Sequence, residues 1–541
     1  MVTLLFTGGR IFTADPDAPW ANAVVVHDDE IAFVGDVAQA TELAGPSAER
    51  IDLDGGTMVP GFVDGHAHLL MTGESLLKAQ LRSAGNLAEI QRRVGEWAHR
   101  NPDAPRVLGI GWLFSAVPDG RPTREMLDQV VADRPVYLDA SDLHSTWVNT
   151  AALHELGITD DTPDPIGGRI ARDPVTGAAT GHLVENATVT MVWPLLARID
   201  DAARDRHLRA AVAAYNESGV TAAVDMAMDR AMFHTMRRAD EAGGLTVRVV
   251  GHWLVHRTGD AATELEQVAE AARMAASYRS GRLRLNGIKI IADGTIDGCT
   301  AALLNPYTNG SLPDPIWDAD ALTRVVTAAD AAGLQVAIHA IGDRTVRLAI
   351  DALSHAIRTN GRVDHRHRIE HLEYVDEADV ARLHELGITA SMQPVHVDPA
   401  QLDNWIALLG AARAHRGFAW REFLDAGTTL AFGTDTPTAP HLPLHNMYLA
   451  ATRKSPADPS LAPHRPDQAL PLEQAVGHAT RESAWASFDD HRIGMIRAGM
   501  AADLVVIDSD VFAAAPEALL RANVMRTMID GATVHARRTT R

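Results

Sequence analysis

The chain has 541 residues, of which 46% are hydrophobic and 22% are charged, an ordinary composition for a globular protein of two or three domains. Its 70 acidic residues outnumber 49 basic ones, and the formal net charge of -21 argues against nucleic acid or an anionic membrane as a partner. The single cysteine, Cys299, excludes an intramolecular disulfide and a cysteine-rich zinc site.

Both ends of the chain are predicted to be rich in β-strands. Near the N-terminus, LLFTGG, AVVVHDD and EIAFVGD are short apolar runs that end in Gly or Asp, and ADLVVIDSD and NVMRTMIDG repeat the pattern near the C-terminus. Because loop-closure entropy rises only slowly with loop length, residues 1–57 and 490–541 can form one composite β-sandwich domain. The N-terminus lacks the basic region of a signal peptide and no apolar run could span a bilayer, so we expect a cytoplasmic protein.

Between the ends, apolar runs alternate with longer helix-like segments. This repeated order predicts an α/β fold with a parallel sheet, and eight strands would close a (β/α)8 TIM-like barrel over residues 58–70 and 201–489. Residues 71–200 break the rhythm and predict an insertion after the first barrel strand that covers the active site. The eight predicted strands are MVPGFVD, GVTAAVDMAM, LTVRVVGHWLV, RLNGIKIIAD, LQVAIHA, HRIEHLEY, GITASMQP and TTLAFGTD.

Side chains that can bind metal stand near the C-terminal ends of five predicted barrel strands. His66 and His68 share one strand face because they are two residues apart. Each residue by itself has a simpler interpretation as a buried histidine, a strand-end lysine or a helix cap, but their common placement favours a metal site. Nitrogen and oxygen ligands of this kind suit zinc and related divalent ions. The set is His66, His68, Lys289, His339, His371 and Asp435.

Lys289 is unusual because it interrupts the apolar strand GIKIIAD. Burial of the ammonium group is expected to lower its pKa, and neighbouring metal cations would lower it further. The neutral amine could then react with carbon dioxide to form a carbamate, an anion able to bridge two cations.

These motifs resemble the amidohydrolase superfamily of metal-dependent hydrolases. The resemblance is carried by GFVDGHAH, GIKIIADGT, HAIGDR, RIEHLEYV and FGTDTP, and by the terminal GGRIFT and GMIRAGMAADLVVID. DLHSTWVNTAAL and SMQPVHVDP are similar to the YtcJ-like branch, which includes N-substituted formamide deformylases. The resemblance covers essentially the whole chain but does not specify a substrate.

The resemblance implies a role for each ligand. His66, His68 and Asp435 would hold one metal, His339 and His371 a second, and carboxylated Lys289 would bridge them. One or two ions per subunit, with zinc expected, are compatible with the family.

We therefore expect hydrolysis of a C–N bond other than a peptide bond in a small-molecule amide, with Asp435 as the general base and acid. An ester or lactone hydrolase, a deaminase or a non-catalytic scaffold of the same fold are the alternatives. A homo-oligomer, most simply a dimer, is expected. Five residues are predicted to contact substrate: His396, Trp112, His144, Asp293 and Cys299. For Cys299, a simple packing role is an equal alternative.

Overall fold

A computed structural model describes residues 2–141, 145–165, 168–185, 187–196, 198–361 and 364–537. Contacts divide the chain into two units. The first, here called the barrel unit, comprises Met1–Leu69 and Val212–Arg541, and the second, the inserted unit, comprises Leu70–Ala211. Among the described residues, no helix combines the length and the apolar character needed to cross a membrane.

The strands alternate with helices in the central part of the barrel unit and follow one another more closely at its two ends. In chain order the strands are β1 (Thr3–Thr7), β2 (Arg10–Phe12), β3 (Trp20–Ala21), β4 (Ala23–His27), β5 (Glu30–Gly35), β6 (Glu49–Asp52), β7 (Thr57–Pro60), β8 (Phe62–Ala67), β9 (Ala79–Gln80), β10 (Val107–Trp112), β11 (Val136–Ala140), β12 (Ser145–Val148), β13 (Gly168–Arg172), β14 (Ala179–Glu185), β15 (Val220–Met228), β16 (Arg248–Val255), β17 (Leu283–Ile291), β18 (Gln335–Ala340), β19 (Arg368–His371), β20 (Thr389–Met392), β21 (Leu430–Phe432), β22 (Leu504–Ile507), β23 (Val524–Ile529) and β24 (Ala532–Ala536).

The α-helices follow the barrel strands or belong to the inserted unit and the terminal regions. They are α1 (Val37–Ala44), α2 (Leu69–Leu77), α3 (Leu87–Arg100), α4 (Arg124–Asp128), α5 (Thr150–Leu156), α6 (Trp193–Leu196), α7 (Asp201–Ser218), α8 (Arg230–Glu241), α9 (Ala261–Ser277), α10 (Ala319–Ala331), α11 (Asp343–Asn360), α12 (Glu377–Leu386), α13 (Asp403–Leu409), α14 (Ala411–Ala414), α15 (Trp420–Asp425), α16 (Pro443–Thr452), α17 (Leu472–His478) and α18 (Arg481–Ala486).

Eight parallel strands of the barrel unit form one sheet within the described residues, in the order β21-β20-β19-β18-β17-β16-β15-β8. These are the eight strands expected from the sequence, and the predicted (β/α)8 barrel is confirmed. A parallel bridge between Ala67 and Thr436 joins the first strand to the segment after the last. The carboxyl ends of all eight strands therefore lie at one mouth of the barrel, where barrel enzymes carry their chemistry.

Close approach of the first and last strands depends on two glycines. A Cβ atom at Gly433 would lie 2.3 Å from the backbone N of His66, and one at Gly65 would lie 2.7 Å from the carbonyl oxygen of Phe432. The buried carboxylate of Asp64 strengthens the junction by accepting hydrogen bonds from the backbone N and the hydroxyl of Thr434. The barrel closes here because neither glycine carries a side chain.

Several barrel helices begin at an aspartate that accepts a hydrogen bond from a backbone N–H of the first helical turn. This N-cap satisfies a donor that the helix itself cannot pair. The capping residues of α8, α9, α10 and α12 are Asp229, Asp260, Asp318 and Asp376.

The chain ends combine as predicted into a two-sheet sandwich. One sheet has the order β5-β4-β1-β6, and the other, β24-β23-β22-β7-β2-β3, takes strands from both ends of the chain. The expectation of a single strand over MVPGFVD is corrected, since Thr57–Pro60 pairs in the sandwich and Phe62–Ala67 in the barrel. Gly61 permits the change of sheet, because a Cβ there would lie 2.1 Å from Thr221 Oγ1.

A buried ion pair joins Asp503, which directly precedes the sandwich strand β22, to the barrel strand β16. Arg248, at the start of β16, donates from Nε and Nη2 to the two carboxylate oxygens of Asp503, each at 2.9 Å. Asp530 also pairs with Arg248. The side chains of Arg248 and Asp503 are each only 2% exposed, so each charge depends on its partner for compensation.

In its described residues the inserted unit has its own six-stranded sheet, β13-β14-β12-β11-β10-β9, and its own apolar core. Trp112 is 0% exposed in that core, donates from Nε1 to the carbonyl oxygen of Leu138 and packs edge-on against Trp147. The indole therefore packs in the core of the inserted unit, and a substrate contact of Trp112 stays a prediction. His144 lies outside the described residues. Whether the insertion covers the active site stays a prediction.

Candidate metal centre

His66, His68 and Asp435 meet at the carboxyl ends of the first and last barrel strands. The Nε2 atoms of His66 and His68 lie 3.3 and 3.0 Å from Asp435 Oδ1. All three ligand atoms lie within 4.8 Å of one another. The arrangement brings two imidazoles and one carboxylate to a single point, the donor set that a divalent transition metal prefers.

Hydrogen bonds beneath this point fix the orientation of His66. Its Nδ1 lies 2.7 Å from Oε2 of Glu370, a buried carboxylate that also pairs with Arg368. Because a carboxylate accepts, Nδ1 carries the proton and Nε2 keeps its lone pair directed at Asp435. Neither Glu370 nor Arg368 was predicted from the sequence. They could have been found as two charged residues, two positions apart, inside a predicted core strand.

The charges at this point favour a bound cation. Burial and the nearby Lys289 ammonium lower the pKa of His66 to about 4, so its ring is neutral near pH 7. Although burial would raise it, the pKa of Asp435 is held well below its ordinary value by the surrounding histidines, His66 foremost. A neutral imidazole lone pair and an ionised carboxylate oxygen therefore face each other. Such a pair repels unless a positive charge lies between the atoms, so these residues fit a metal ion.

Lys289 lies inside the barrel next to this group. Its Nζ is 3.4 Å from His66 Nε2, and the residue is 1% exposed. Burial lowers the pKa of Lys289 to about 8, although the Glu370 and Asp435 carboxylates act in the opposite direction. Near neutral pH the neutral amine is therefore accessible, and this is the form that reacts with carbon dioxide.

His339 and His371 stand side by side, with ring centroids 4.4 Å apart, and the His371 ring is 4.9 Å from that of His66. His371 Nδ1 lies 2.9 Å from Oε1 of Gln393, which leaves Nε2 as the other hydrogen-bonding atom. His371 has φ +76° and Asp435 has φ +55°, a region that costs energy for residues with a side chain. The turn at His371 lets two consecutive residues, Glu370 and His371, both approach His66.

His396 lies beside Asp435, and its side chain is partly exposed. Its Nδ1 is 3.0 Å from Oε1 of Glu373, and its Nε2 is 3.6 Å from Asp435 Oδ2. Its ring is nearly parallel to that of His371, with centroids 5.9 Å apart. Burial would lower the pKa of His396, but hydrogen bonding to Glu373 raises it. The sequence predicted a substrate contact for His396 and did not identify Glu373.

Asp293 has a structural position that differs from the substrate contact predicted for it. It is 0% exposed, and its carboxylate accepts hydrogen bonds from the backbone N atoms of Ala302, Ile341 and Gly342. Its Oδ1 also lies 3.6 Å from Nε2 of His339. These contacts give Asp293 a structural role in holding two loops, and its contact with substrate stays a prediction.

Cys299 is half-buried in the loop after β17 and has φ +52°. Its Sγ lies 3.7 Å from Nδ2 of Asn309. A role for Cys299 in substrate choice stays a prediction.

A second His-x-His pair lies at the opposite end of the barrel strands. His365 and His367 precede β19, and their ligand atoms lie within 4.8 Å of Asp330. The backbone N of Val336 donates to His367 Nδ1, so the proton of that ring sits on Nε2 and is donated to Asp330 Oδ1, 3.0 Å away. A protonated nitrogen has no lone pair for a metal. This cluster is therefore a hydrogen-bonding group that holds the base of the barrel.

Comparisons with known proteins relate the chain to one family. The model of the amidohydrolase family matches residues 49–535. The protein YtcJ of Bacillus subtilis (strain 168) is 30% identical over 542 residues, covering 98% of this chain and 99% of its own. An N-substituted formamide deformylase of Arthrobacter pascens is 28% identical over 557 residues, covering 98% of each chain.

One solved structure, an uncharacterised metal-dependent hydrolase of Pyrococcus horikoshii OT3, shares the fold. Its TM-score is 0.77 at 23% identity, with 95% of this chain and 99% of that chain covered. The fold of the barrel unit and the inserted unit therefore recurs in a known hydrolase architecture.

Proposed function

The chain belongs to the amidohydrolase family and is a hydrolytic enzyme that acts on C–N bonds, and from this premise we propose that it hydrolyses a small-molecule amide at the metal centre of the barrel unit. The observation that carries the proposal is the convergence of His66, His68 and Asp435, whose ligand atoms all lie within 4.8 Å of one another. The relation to an N-substituted formamide deformylase favours an N-formyl or other N-acyl amine as substrate.

Zinc is the proposed metal, because imidazole and carboxylate ligands suit it. His66, His68 and Asp435 would hold one ion. His339 and His371 would hold a second, and Lys289, as a carbamate, would lie between them. When bound, the metal supplies a Lewis acid that makes water nucleophilic near neutral pH.

Asp435 is the proposed proton carrier. Its Oδ1 faces His66 and His68, whereas its Oδ2 lies 3.6 Å from Nε2 of His396. Oδ2 would accept a proton as water attacks the amide carbon and would return that proton to the nitrogen as the C–N bond breaks. The products are a carboxylic acid and an amine, so atoms and protons balance, and near neutral pH the acid then loses its proton to give a carboxylate.

Metal analysis combined with a substrate panel tests the proposal. The purified chain should contain at least one transition metal ion and should hydrolyse a member of a panel of N-formyl and N-acyl amines. Chelation should abolish turnover and zinc should restore it. Turnover of esters or lactones alone, release of ammonia in a deamination, or no turnover after metal reconstitution would each contradict it. The expected dimer is checked separately by light scattering of the eluted protein.

A further inference from the structure

Ile291 is an exposed isoleucine at the mouth of the barrel that the proposed reaction does not use. It is the last residue of β17 and stands two positions after Lys289, whose Nζ points into the barrel, 3.4 Å from His66 Nε2. Residues two apart share one face of a strand, so the Ile291 side chain is also directed to the inside of the barrel. Ile288 and Ile290, on the other face, are 0% exposed, whereas Ile291 is 40% exposed. Ile291 therefore lies one layer above Lys289 and faces the open mouth.

Leu254 continues this apolar surface on the neighbouring strand. His252 on β16 points into the barrel, because its Nε2 reaches across β17 to Gln335 Oε1 on β18, 3.0 Å away. Leu254 is two residues further along β16 and so shares that face. It is the register partner of Lys289 and is partly exposed. Leu254 and Ile291, here called the apolar corner, are therefore diagonal neighbours on adjacent strands.

The apolar corner presents a fixed hydrocarbon surface beside the metal position. Ile291 is the register partner of His339, a proposed ligand of the second ion. Lys289 beneath it is only 1% exposed and contributes almost no polar surface. The carbonyl oxygen of Ile291 accepts a hydrogen bond from Nε1 of Trp317 at 3.1 Å, and a β-branched side chain has little freedom at χ1. Such a wall favours a ligand that covers it with an apolar group.

The place of the corner around the barrel indicates which part of an amide would reach it. β17 and β21 are four strands apart in a closed sheet of eight, so Ile291 and Asp435 stand on opposite sides of the mouth. In the proposed reaction Asp435 exchanges a proton with the water and with the amide nitrogen, so both lie near β21. The acyl chain is bonded to the carbonyl carbon and extends away from that nitrogen. It is therefore directed toward the apolar corner.

We propose that Leu254 and Ile291 are specificity-determining residues that receive the acyl chain of the substrate, so that the enzyme prefers N-acyl amines with an apolar acyl group to N-formyl amines. This inference rests on the proposed function and narrows it. A formyl group carries only hydrogen at that position and would leave the corner uncovered. Each methylene group that the corner covers should strengthen binding by about 2- to 4-fold.

A binding series measures the corner without turnover. Acetate, butyrate and hexanoate are acyl products of increasing length, and each is titrated into the zinc-loaded protein by calorimetry. Wild-type affinity should rise along the series. Ile291→Thr keeps a β-branched side chain but replaces hydrocarbon by a hydroxyl, so the ratio of hexanoate to acetate affinity should fall about 10-fold. Leu254→Thr should lower the ratio in the same direction.

Leu265→Thr is the matched control for this series. Leu265 is 36% exposed, close to the exposure of Ile291, but it lies on α9 and not on a strand of the barrel sheet. The same loss of hydrocarbon there should leave the wild-type ratio of hexanoate to acetate affinity.

Two isomeric amides decide which end of the substrate occupies the corner. N-methylhexanamide carries its apolar chain on the carbonyl carbon, whereas N-hexylformamide carries it on the nitrogen. The wild type should prefer N-methylhexanamide. The loss of kcat/KM in Ile291→Thr should be about 10-fold greater for N-methylhexanamide than for N-hexylformamide, because only the first places its chain against the corner.

Three results would overturn the proposal. The first is an equal ratio of hexanoate to acetate affinity in Ile291→Thr and the wild type. The second is a wild-type preference for N-hexylformamide, or a greater loss on that amide in Ile291→Thr. The third is the same loss in Leu265→Thr as in Ile291→Thr. If the wild type hydrolyses no amide, the proposed function fails, and the carboxylate series still decides whether the corner binds an acyl chain.

Discussion

The backbone N–H of Asp435 donates to the carbonyl oxygen of His66 at a distance of 2.7 Å. One hydrogen bond thus joins the segment after the last barrel strand to the first strand and brings two candidate metal ligands face to face. The same contact therefore closes the barrel and brings these two candidate ligands together. A mutation that loosens this junction is therefore expected to affect metal binding as well as stability.

Asp435→Asn tests the proton carrier. The amide cannot accept a proton from water, so kcat should fall about 100- to 10000-fold, the range for loss of a general base or acid. Metal content is measured on the same sample, and the comparison is made at saturating zinc because Oδ1 also faces the metal position. Near-normal turnover with metal bound would show that another group carries the proton.

Glu370→Gln tests the support beneath His66. The amide removes the negative charge that compensates Arg368 and weakens the hold on His66 Nδ1, so zinc affinity should drop about 10- to 100-fold. The apparent melting temperature of the metal-free protein should also fall, because a buried guanidinium loses its counter-charge. Chelator competition and thermal unfolding measure the two effects. Unchanged zinc affinity would assign Glu370 to fold stability alone.

Carboxylation of Lys289 predicts a carbamate carbon that appears when the enzyme is incubated with isotope-labelled bicarbonate and zinc. Carbon NMR should show this signal in the wild type and lose it in Lys289→Arg, whose guanidinium does not form a carbamate. Metal analysis should show fewer ions per chain in the variant. A signal that persists in Lys289→Arg would place the modification elsewhere.

Asp503→Asn tests the link between the sandwich and β16. Leaving Arg248 buried without its bidentate partner should destabilise the chain by about 3–5 kcal/mol, the usual cost of breaking a buried ion pair. Urea unfolding monitored by circular dichroism measures it. Arg273→Ala removes an ion pair whose side chains are 60% and 67% exposed and should leave the midpoint unchanged. Equal midpoints in both variants would refute the structural role of the pair.

Buried neutral histidines predict the pH dependence of stability. Burial, with a further contribution from Arg368, lowers the pKa of His252 to about 3, so the unfolded chain binds a proton there that the folded chain excludes. Stability should therefore be fully present above about pH 6.5 and be lost as pH falls toward about 3, at up to about 1.4 kcal/mol per pH unit for this residue. His252→Asn, compared by urea unfolding of metal-free protein at several pH values, should show a shallower loss. An identical slope would mean that His252 does not contribute.

Much of the fold could be predicted from the chain because its periodicities are local. Eight apolar runs that alternate with helical segments predict the eight barrel strands, and the β-rich ends predict a sandwich. The division of MVPGFVD between two sheets could not be predicted, because it depends on the contact of Gly61 with Thr221, residues far apart in sequence. In the same way the full burial of Trp112 and Asp293 depends on contacts with residues distant in sequence.

The sequence by itself determined which residue types stand at the carboxyl ends of the strands, because strand order and side-chain alternation place them there. It contains His-x-His twice, at His66–His68 and at His365–His367, and the pattern is the same in both. Only the tertiary structure decided between them. Glu370 accepts the Nδ1 proton of His66, so Nε2 of that ring keeps a lone pair for metal. The backbone N of Val336 instead donates to Nδ1 of His367, so Nε2 of that ring carries the proton. The partner of the second ring nitrogen comes from a distant strand, so no local pattern reveals it.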